Sequence, residues 1–277
     1  SFLGNQDNVL RFSNPMCILP KDDGSIWVTA FGSNELVLLD LNGYVISRVR
    51  GPINGFDRPM DIVSTSDGKL IITEYAGDRI TFLDSKGNFI KSVGKKGRGL
   101  GQLLGPQYLC VDEKKSRIFV TDFGNNRVCV FDILGTPLFD FGKASKNFSG
   151  LKAPTGIATY NGFVYVADAD LGGIYIFDDS GNYVDILVNE KTFEKLEALK
   201  LWKNYLILTD KNKVYAVDIL SGKINQMANL GNKPTELICG VCDVNNNLVV
   251  TDIKNNEVHV LAKMSELIGG FFVKNSK

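Results

Sequence analysis

The amino-acid sequence predicts an all-β fold, a six-bladed β-propeller with four antiparallel strands in each blade. Three observations support this prediction: a sixfold repeat, apolar residues with a period of two inside each repeat, and glycine-rich segments between repeats. A dipeptide that starts with Thr or Ala recurs every 42 to 48 residues, as Thr29-Ala30, Thr73-Glu74, Thr121-Asp122, Ala167-Asp168, Thr209-Asp210 and Thr251-Asp252. A repeat of this length is typical of propellers and solenoids.

Each repeat divides into short apolar runs separated by turn residues. In the third repeat the pattern predicts strands over Gln107–Val111, Arg117–Thr121, Arg127–Asp132 and Pro137–Phe141. In the second repeat it predicts them over Met60–Ser64, Lys69–Thr73, Arg79–Asp84 and Phe89–Val93. Four short antiparallel strands joined by tight turns form one propeller blade.

Length and composition predict a single domain over residues 1–277. The repeat continues along the whole chain without a linker, and 44% of the residues are hydrophobic. The 31 basic residues balance the 31 acidic ones, so the chain as a whole has no net attraction to a polyanion. No apolar stretch is long enough to span a membrane, and residues 1–20 lack a signal-peptide pattern. Because the repeat starts abruptly at Ser1, we expect a fragment or processed form of a longer protein, folded as a monomeric domain without membrane insertion.

The segments between repeats carry the most specific signal. Gly94–Pro106 is rich in glycine and ends in a proline, with an apolar residue three positions before it. The pair recurs as Phe12/Pro15, Phe56/Pro59 and Leu151/Pro154. Together with the stretch Val120–Asp132, these segments resemble the NHL-repeat β-propellers. The resemblance covers the whole chain, is weakest in the fifth repeat, and implies a six-bladed ring.

Two further expectations concern the ends of the ring and an irregular segment. Spacing from the prolines places residues 1–4 at the end of a fourth strand, and Glu266–Phe272 at the fourth-strand position of the last repeat. Both chain ends should therefore meet in blade six. Residues 189–200 replace the usual glycine-rich segment. Phe193, Leu196 and Leu199 have helix-like spacing, which predicts either a short helix or an ordered loop there.

The order of strands sorts residues between the two ends of the propeller. We call the top face the end where the linkers between blades and the loops between second and third strands emerge. Aromatic and basic residues of the first three blades are predicted to lie on this face or around the axial opening, as a binding surface for stacking and charge-assisted contacts. The predicted binding residues are Phe31, Tyr75, Arg79, Lys95, Lys96, Arg98, Tyr108, Phe123 and Arg127.

Charge is distributed unevenly along the chain. Residues 1–152 carry a net charge of +3 and include every arginine, while residues 153–277 carry −3. The repeated Asp122, Asn126 and Asp132 are more simply explained as residues that tie loops together through hydrogen bonds. For Phe31, Tyr75 and Phe123, packing between blades and ligand binding remain equal alternatives.

The sequence gives little support for catalysis, a metal or a cofactor. Its only histidine, His259, is predicted to pack between blades in a third strand. Amidating-lyase relatives of the fold need several histidines. Lactonase-like calcium sites would need axial acids such as Asp61, Glu197 and Glu236, which are scattered around the ring. The five cysteines lie in apolar strands and are expected to be free thiols, which favours a reducing, cytoplasmic location. The expectation is no enzyme, no cofactor and no metal.

Two classes of function remain from the sequence. The first is a non-catalytic interaction platform that binds a protein or peptide partner through the top face. The second is implied by the resemblance to the NHL domains of tripartite-motif translational repressors, which bind RNA on that face. A small-ligand sensor at the axial opening is a weaker alternative.

Overall fold

The computed structural model describes residues 12–231 and 234–264 and confirms the six-bladed β-propeller. Blade one contains β1 (Pro15–Pro20), β2 (Ile26–Ala30), β3 (Glu35–Leu39) and β4 (Val45–Val49). Blade two contains β5 (Pro59–Ser64), β6 (Leu70–Glu74), β7 (Arg79–Leu83) and β8 (Phe89–Val93). Blade three contains β9 (Pro106–Asp112), β10 (Arg117–Asp122), β11 (Arg127–Asp132) and β12 (Pro137–Phe141), with a 3-10 turn at Phe123–Asn125.

The second half of the ring continues the same order. Blade four contains β13 (Pro154–Tyr160), β14 (Phe163–Asp168), β15 (Gly173–Asp178) and β16 (Tyr183–Val188). Blade five contains β17 (Leu196–Trp202), β18 (Tyr205–Asp210), β19 (Lys213–Asp218) and β20 (Ile224–Asn229). Blade six contains β21 (Leu237–Cys242), β22 (Asn247–Asp252) and β23 (Glu257–Lys263). The predicted strand segments at residues 1–4 and Glu266–Phe272 lie outside the described residues.

The strands predicted for blades two and three agree with the structure to within a residue or two. The alternative of a helix at residues 189–200 is wrong, because residues 189–195 form turns and β17 begins at Leu196. A β-bulge shifts the pairing register between Leu196 and Leu199, and both side chains are buried. An inserted bulge residue gives an apolar spacing of three, which a helix also gives.

Every inner strand carries a bulge near its top end. Register shifts fall at corresponding places in β1, β5, β9, β13, β17 and β21. The bulge leaves an amide and a carbonyl without ladder partners. The hydroxyl of a buried threonine in the second strand bonds the amide of its own blade and the carbonyl of the next blade. The Thr29 hydroxyl accepts a hydrogen bond from the Cys17 amide (2.9 Å) and donates to the Met60 carbonyl of the next blade (2.8 Å).

The same hydroxyl bridge recurs around the ring, and we call it the threonine belt. Thr73 donates to the Gln107 carbonyl and Thr209 to the Ile238 carbonyl, each in the next blade. Blade four has Ala167 at this position, and there the hydroxyl of Thr155 donates to the carbonyl of Leu196 in blade five (3.1 Å). The belt therefore joins neighbouring blades independently of side-chain packing.

One bridge of the belt joins the last blade to the first. The Thr251 hydroxyl accepts from the Cys239 amide (3.1 Å) and donates to the Met16 carbonyl (2.6 Å), across 235 positions of sequence. At the top of the same seam, the Asn14 amide donates to Asn256 Oδ1 (2.7 Å). These bonds close the ring within the described part of the chain.

The top loops require a left-handed residue just before the third strand. Asn34, Asp78, Asn126 and Asn256 occupy this position with φ between 51° and 55°. Asn and Asp tolerate this conformation better than other non-glycine residues. The repeated Asn/Asp therefore has a backbone role. The described residues contain no helix long and apolar enough to cross a membrane.

We expect Thr251→Val to lower the free energy of unfolding by at least about 2 kcal/mol, because the Met16 carbonyl and the Cys239 amide would both lose their buried partner. The matched control is Thr251→Ser, which keeps the hydroxyl and loses only a methyl group. Chemical denaturation of both variants would check this. Equal stability of the valine and serine variants would contradict it.

Candidate functional site

Two neighbouring loops place aromatic rings together on the top face. The ring centroids of Phe31 and Tyr75 are 6.0 Å apart, with 51° between the ring planes. The guanidinium carbon of Arg58 lies 5.2 Å from the Phe31 ring centroid, within the range of cation–π attraction. Tyr75 is 36% exposed and Arg58 is exposed. The structure thus brings together two of the predicted binding residues, Phe31 and Tyr75, and adds Arg58 to the site.

Main-chain hydrogen bonds hold these loops in place. The Tyr75 amide donates to the Arg58 carbonyl (2.9 Å), and the Phe31 amide donates to the Asn14 carbonyl (3.0 Å). Each bond ties a loop to the linker that enters its own blade. The two aromatic side chains are therefore attached to an ordered backbone, which lowers the conformational entropy lost when a partner binds.

The glycine-rich linker into blade three lies between the loops of Tyr75 and Phe123. Its last residue, Gly105, lies against the Tyr75 ring. Near its other end, Asn125 Nδ2 donates to the Gly97 carbonyl (2.8 Å). Phe123 begins the 3-10 turn and is half-buried. The two loops and the linker therefore form one continuous surface.

The same linker presents basic and apolar side chains to solvent. Lys95, Lys96 and Arg98 are exposed, and Leu100 is 58% exposed. None of the three cations has an ion-pair partner among the residues that the structure describes. The linker is nevertheless ordered by its own bonds, from the Gly97 amide to the Leu103 carbonyl and from the Gly99 amide to Gln102 Oε1. We use the term top-face surface for Phe31, Arg58, Tyr75, Lys95, Lys96, Arg98, Leu100 and Phe123.

Arg127 is placed differently from its predicted role. It is 4% exposed, and its Nε donates to Asp122 (2.8 Å) while Nη1 donates to Asp140 (3.0 Å). The remaining donors bond the linker carbonyls of Arg98, Gly99 and Gln102 at 2.8 to 3.0 Å. A guanidinium with this many protein acceptors cannot also hold a ligand, so Arg127 positions the linker instead.

Arg79 has the corresponding role in blade two. Its Nε and Nη2 each donate to the buried Glu74 carboxylate at 2.9 Å, and Nη2 also donates to the Gly55 carbonyl (3.1 Å). The carboxylate raises the pKa of Arg79, against the effect of burial. We therefore exclude Arg79 and Arg127 from the top-face surface and assign them to its support.

Tyr108 lies inside the ring, away from the top-face surface. It is 1% exposed, and its hydroxyl donates to Glu197 Oε2 (2.9 Å), from blade three to blade five. Burial raises the pKa of Glu197, and the Tyr108 hydrogen bond opposes this. Because the β9 bulge at residues 107–108 turns this side chain inward, Tyr108 cannot stack on an external ligand.

A buried ion pair also crosses the ring between blades two and five. Lys200 Nζ lies 2.6 Å from Asp61 Oδ1, and Asp61 is fully buried. The two residues belong to blades five and two, which face each other across a ring of six. Asp61 also accepts hydrogen bonds from the Leu109 and Ile62 amides. Burial works to lower the pKa of Lys200, but the combined effects of Asp61, Cys17 and Cys239 raise it, so the amine stays protonated and is not available as a nucleophile.

Two thiols lie next to this ion pair at the seam of blades six and one. Burial raises the pKa of Cys17. Burial also works to raise the pKa of Cys239, but a hydrogen bond from Cys17 and the charge of Lys200 lower it. All five cysteines are free and lie on strands.

Sequence reasoning did not select Arg58 or Lys200. A signal for Lys200 is its position, because a charged side chain in a mostly apolar inner strand requires a buried counter-ion. Arg58 precedes the proline that opens β5 and has φ of 58°, an unusual conformation for arginine. Its contact with Phe31 depends on the neighbouring blade, which local sequence does not specify.

Comparisons with known proteins show the fold of this chain, but they do not assign it to a family. A family profile described as a 6-bladed beta-propeller matches residues 58–140, which are blades two and three. No protein among the curated sequences matches the chain. Three similar solved structures are propellers at 13 to 18% identity.

The first is a catalytically inactive variant of virginiamycin B lyase from Staphylococcus aureus with quinupristin, at 18% identity and a TM-score of 0.66, covering 95% of this chain and 83% of that one. The second is a streptogramin B lyase, at 16% identity and a TM-score of 0.65, covering 91% and 95%. The third is a protein of unknown function from Bacteroides thetaiotaomicron, at 13% identity and a TM-score of 0.73, covering 94% and 72%.

These similarities correct the expectation that the chain is not an enzyme. That expectation compared the sequence with amidating lyases and calcium lactonases, but the fold is shared with streptogramin B lyases, which are enzymes. The propeller is therefore a scaffold on which catalysis is known. Identities of 16 to 18% show the fold alone and do not transfer the lyase reaction to this chain.

We expect Arg127→Ala to destabilise the protein by about 3 to 5 kcal/mol, because it leaves the buried Asp122 without a counter-ion and frees three linker carbonyls. The matched control is the exposed Arg98→Ala, with an expected change within about 0.5 kcal/mol. Urea denaturation measures both. Similar stability of the two variants would contradict the supporting role of Arg127.

Proposed function

We propose that the protein binds an acidic, extended segment of a partner protein through the top-face surface of blades one to three. The observation that carries the proposal is the contact of Arg58, Phe31 and Tyr75 beside linker cations that have no ion-pair partner in the described chain. Tyrosine and arginine are enriched among the residues that dominate binding energy at protein interfaces.

The supporting structure suits recognition by a fixed surface. Arg127 and the main-chain bonds hold the linker, so Lys95, Lys96 and Arg98 project from ordered backbone. A rigid surface loses little conformational entropy when a partner binds. Leu100 adds an exposed apolar contact beside these cations.

The uneven distribution of charge along the chain supports an acidic partner and predicts which blades it contacts. Residues 1–152 carry a net charge of +3 and residues 153–277 carry −3. An acidic segment would be attracted to blades one to three and repelled by the loop of blade four, where Asp170 is exposed. Such complementarity affects association rate and specificity more than affinity.

Single-stranded RNA is a second candidate ligand for the same surface. It is supported by the sequence resemblance to NHL-repeat propellers and by exposed aromatic side chains beside cations, which can stack bases and bind phosphates. The internal bonds of Arg79 and Arg127 reduce the set of cations available for phosphates to Arg58, Lys95, Lys96 and Arg98. This favours the protein segment as the main proposal.

The proposal predicts that a displayed library of random peptides, selected on the immobilised protein, is enriched in acidic sequences. We expect the double variant Arg58→Ala/Tyr75→Ala to reduce binding of the selected peptides at least tenfold, about 1.4 kcal/mol. The matched control is Lys254→Ala, an exposed cation in the corresponding loop of blade six.

A parallel selection with a single-stranded RNA pool separates the two candidates. RNA binding that weakens steeply as salt is raised, with no peptide enrichment, would replace the proposal by the second candidate. If the selected ligands, peptide or RNA, bind the double variant as tightly as the wild type, the top-face surface is refuted as the binding site of either candidate.

A further inference from the structure

The top of blade six departs from the charge pattern of blades two and three. In blades two and three a buried acid ends the second strand and an arginine begins the third, as in Glu74/Arg79 and Asp122/Arg127. In blade six the buried acid is Asp252, but the position of the arginine is occupied by Glu257. A cation is thus replaced by an anion next to a buried carboxylate.

The third residue of the group is the only histidine of the chain. His259 lies two residues after Glu257 on β23, where blade two has Thr81 and blade three has Cys129. Thr81 and Cys129 donate hydrogen bonds to the acids of their own blades. His259 Nε2 is buried and has no hydrogen-bond partner among the described residues.

The donor atoms of the three residues converge. His259 Nε2 lies 3.6 Å from Asp252 Oδ2 and 3.3 Å from Glu257 Oε2, and the three ligand atoms lie within 4.8 Å of one another. Ligands at the usual 2.0 to 2.2 Å from a tetrahedral metal ion are about 3.3 to 3.6 Å apart. The two distances from His259 match this spacing, and the third pair of ligand atoms lies within 4.8 Å, so rotation of the partly exposed Glu257 side chain would complete the site without rearrangement of the backbone.

The two carboxylates also need a counter-charge. Asp252 is fully buried, and its carboxylate accepts hydrogen bonds from the Glu236, Lys254 and Asn255 amides (3.2, 3.1 and 3.3 Å) and from Asn255 Nδ2 (2.7 Å), which are all neutral donors. These hydrogen bonds offset the desolvation of Asp252, but they carry no charge to offset the repulsion between it and the neighbouring Glu257 carboxylate. A divalent cation would supply the charge that the guanidinium supplies in blades two and three.

We propose that Asp252, Glu257 and His259 form a binding site for a divalent transition metal ion of the zinc type. One imidazole nitrogen with two carboxylate oxygens is a ligand set that Zn²⁺ accepts. The Glu257 side chain is 46% exposed, so the ion would remain open to solvent on that side. Three protein ligands and an open position are the arrangement in which a zinc ion can bind water or a ligand.

The test titrates ZnCl₂ into the intact chain by isothermal calorimetry and follows the imidazole of the single histidine by NMR. We expect one ion per chain and a shift of the His259 signals on binding. His259→Gln should weaken binding at least about 100-fold, since even indirect partners of metal ligands contribute 10- to 100-fold.

Glu257→Arg is the most informative variant, because it restores the acid and arginine pair of blade three. It should abolish zinc binding while keeping or raising the melting temperature without metal. Because thiols also bind zinc, Cys242→Ser is the matched control and should leave binding unchanged. Absence of zinc binding by the wild type, or equal binding by Glu257→Arg, would overturn the proposal.

Discussion

The hydroxyl of a buried threonine, placed between two blades, is the interaction on which this propeller depends. Each inner strand has a bulge at its top end, and a bulge leaves an amide and a carbonyl without ladder partners. The hydroxyls of Thr29, Thr73 and Thr251 each bond one amide and one carbonyl of this kind. The threonine belt joins neighbouring blades at five of the six seams, and at Thr251 it joins the end of the ring to its beginning. Asp61 and Tyr108 lie in two of these bulges, and their side chains reach Lys200 and Glu197 of blade five, so these contacts across the ring depend on the bulged strands.

The seam between blades three and four is held by other means. The Thr121 hydroxyl donates to the Tyr108 carbonyl of its own blade (3.2 Å). Aromatic packing covers this seam, with the ring centroids of Phe141 and Phe177 4.9 Å apart and those of Phe148 and Tyr183 4.8 Å apart and stacked. A second position also varies: the acid at the end of the second strand recurs in blades two to six, but the residue that begins the third strand is arginine in blades two and three, Gly173 in blade four, Lys213 in blade five and Glu257 in blade six. The residues that recur in every blade maintain the ring, and the positions where one blade has a different residue distinguish that blade from the others.

Sequence periodicity was sufficient for the fold, because strands, turns and linkers are local features that recur with the repeat. The candidate site was only partly predictable. Phe31 and Tyr75 follow from loop position, whereas the inward direction of Tyr108 depends on a bulge that interrupts the period of two. The Asp61–Lys200 pair joins residues 139 positions apart across the ring, which no local pattern encodes. Leu196 and Leu199 have helix-like spacing because a bulge separates them, and Phe193 lies before the strand in a turn segment.

Native-state hydrogen exchange at the seam of blades six and one tests the central claim most directly. The amides of Cys17 and Cys239 donate to the hydroxyls of Thr29 and Thr251. If the threonine belt closes the ring, both amides should exchange only through global unfolding, with the same opening free energy as core amides such as that of Val28. Exchange of Cys17 and Cys239 at a lower free energy than Val28 would show that the ring opens locally at this seam and would contradict the account.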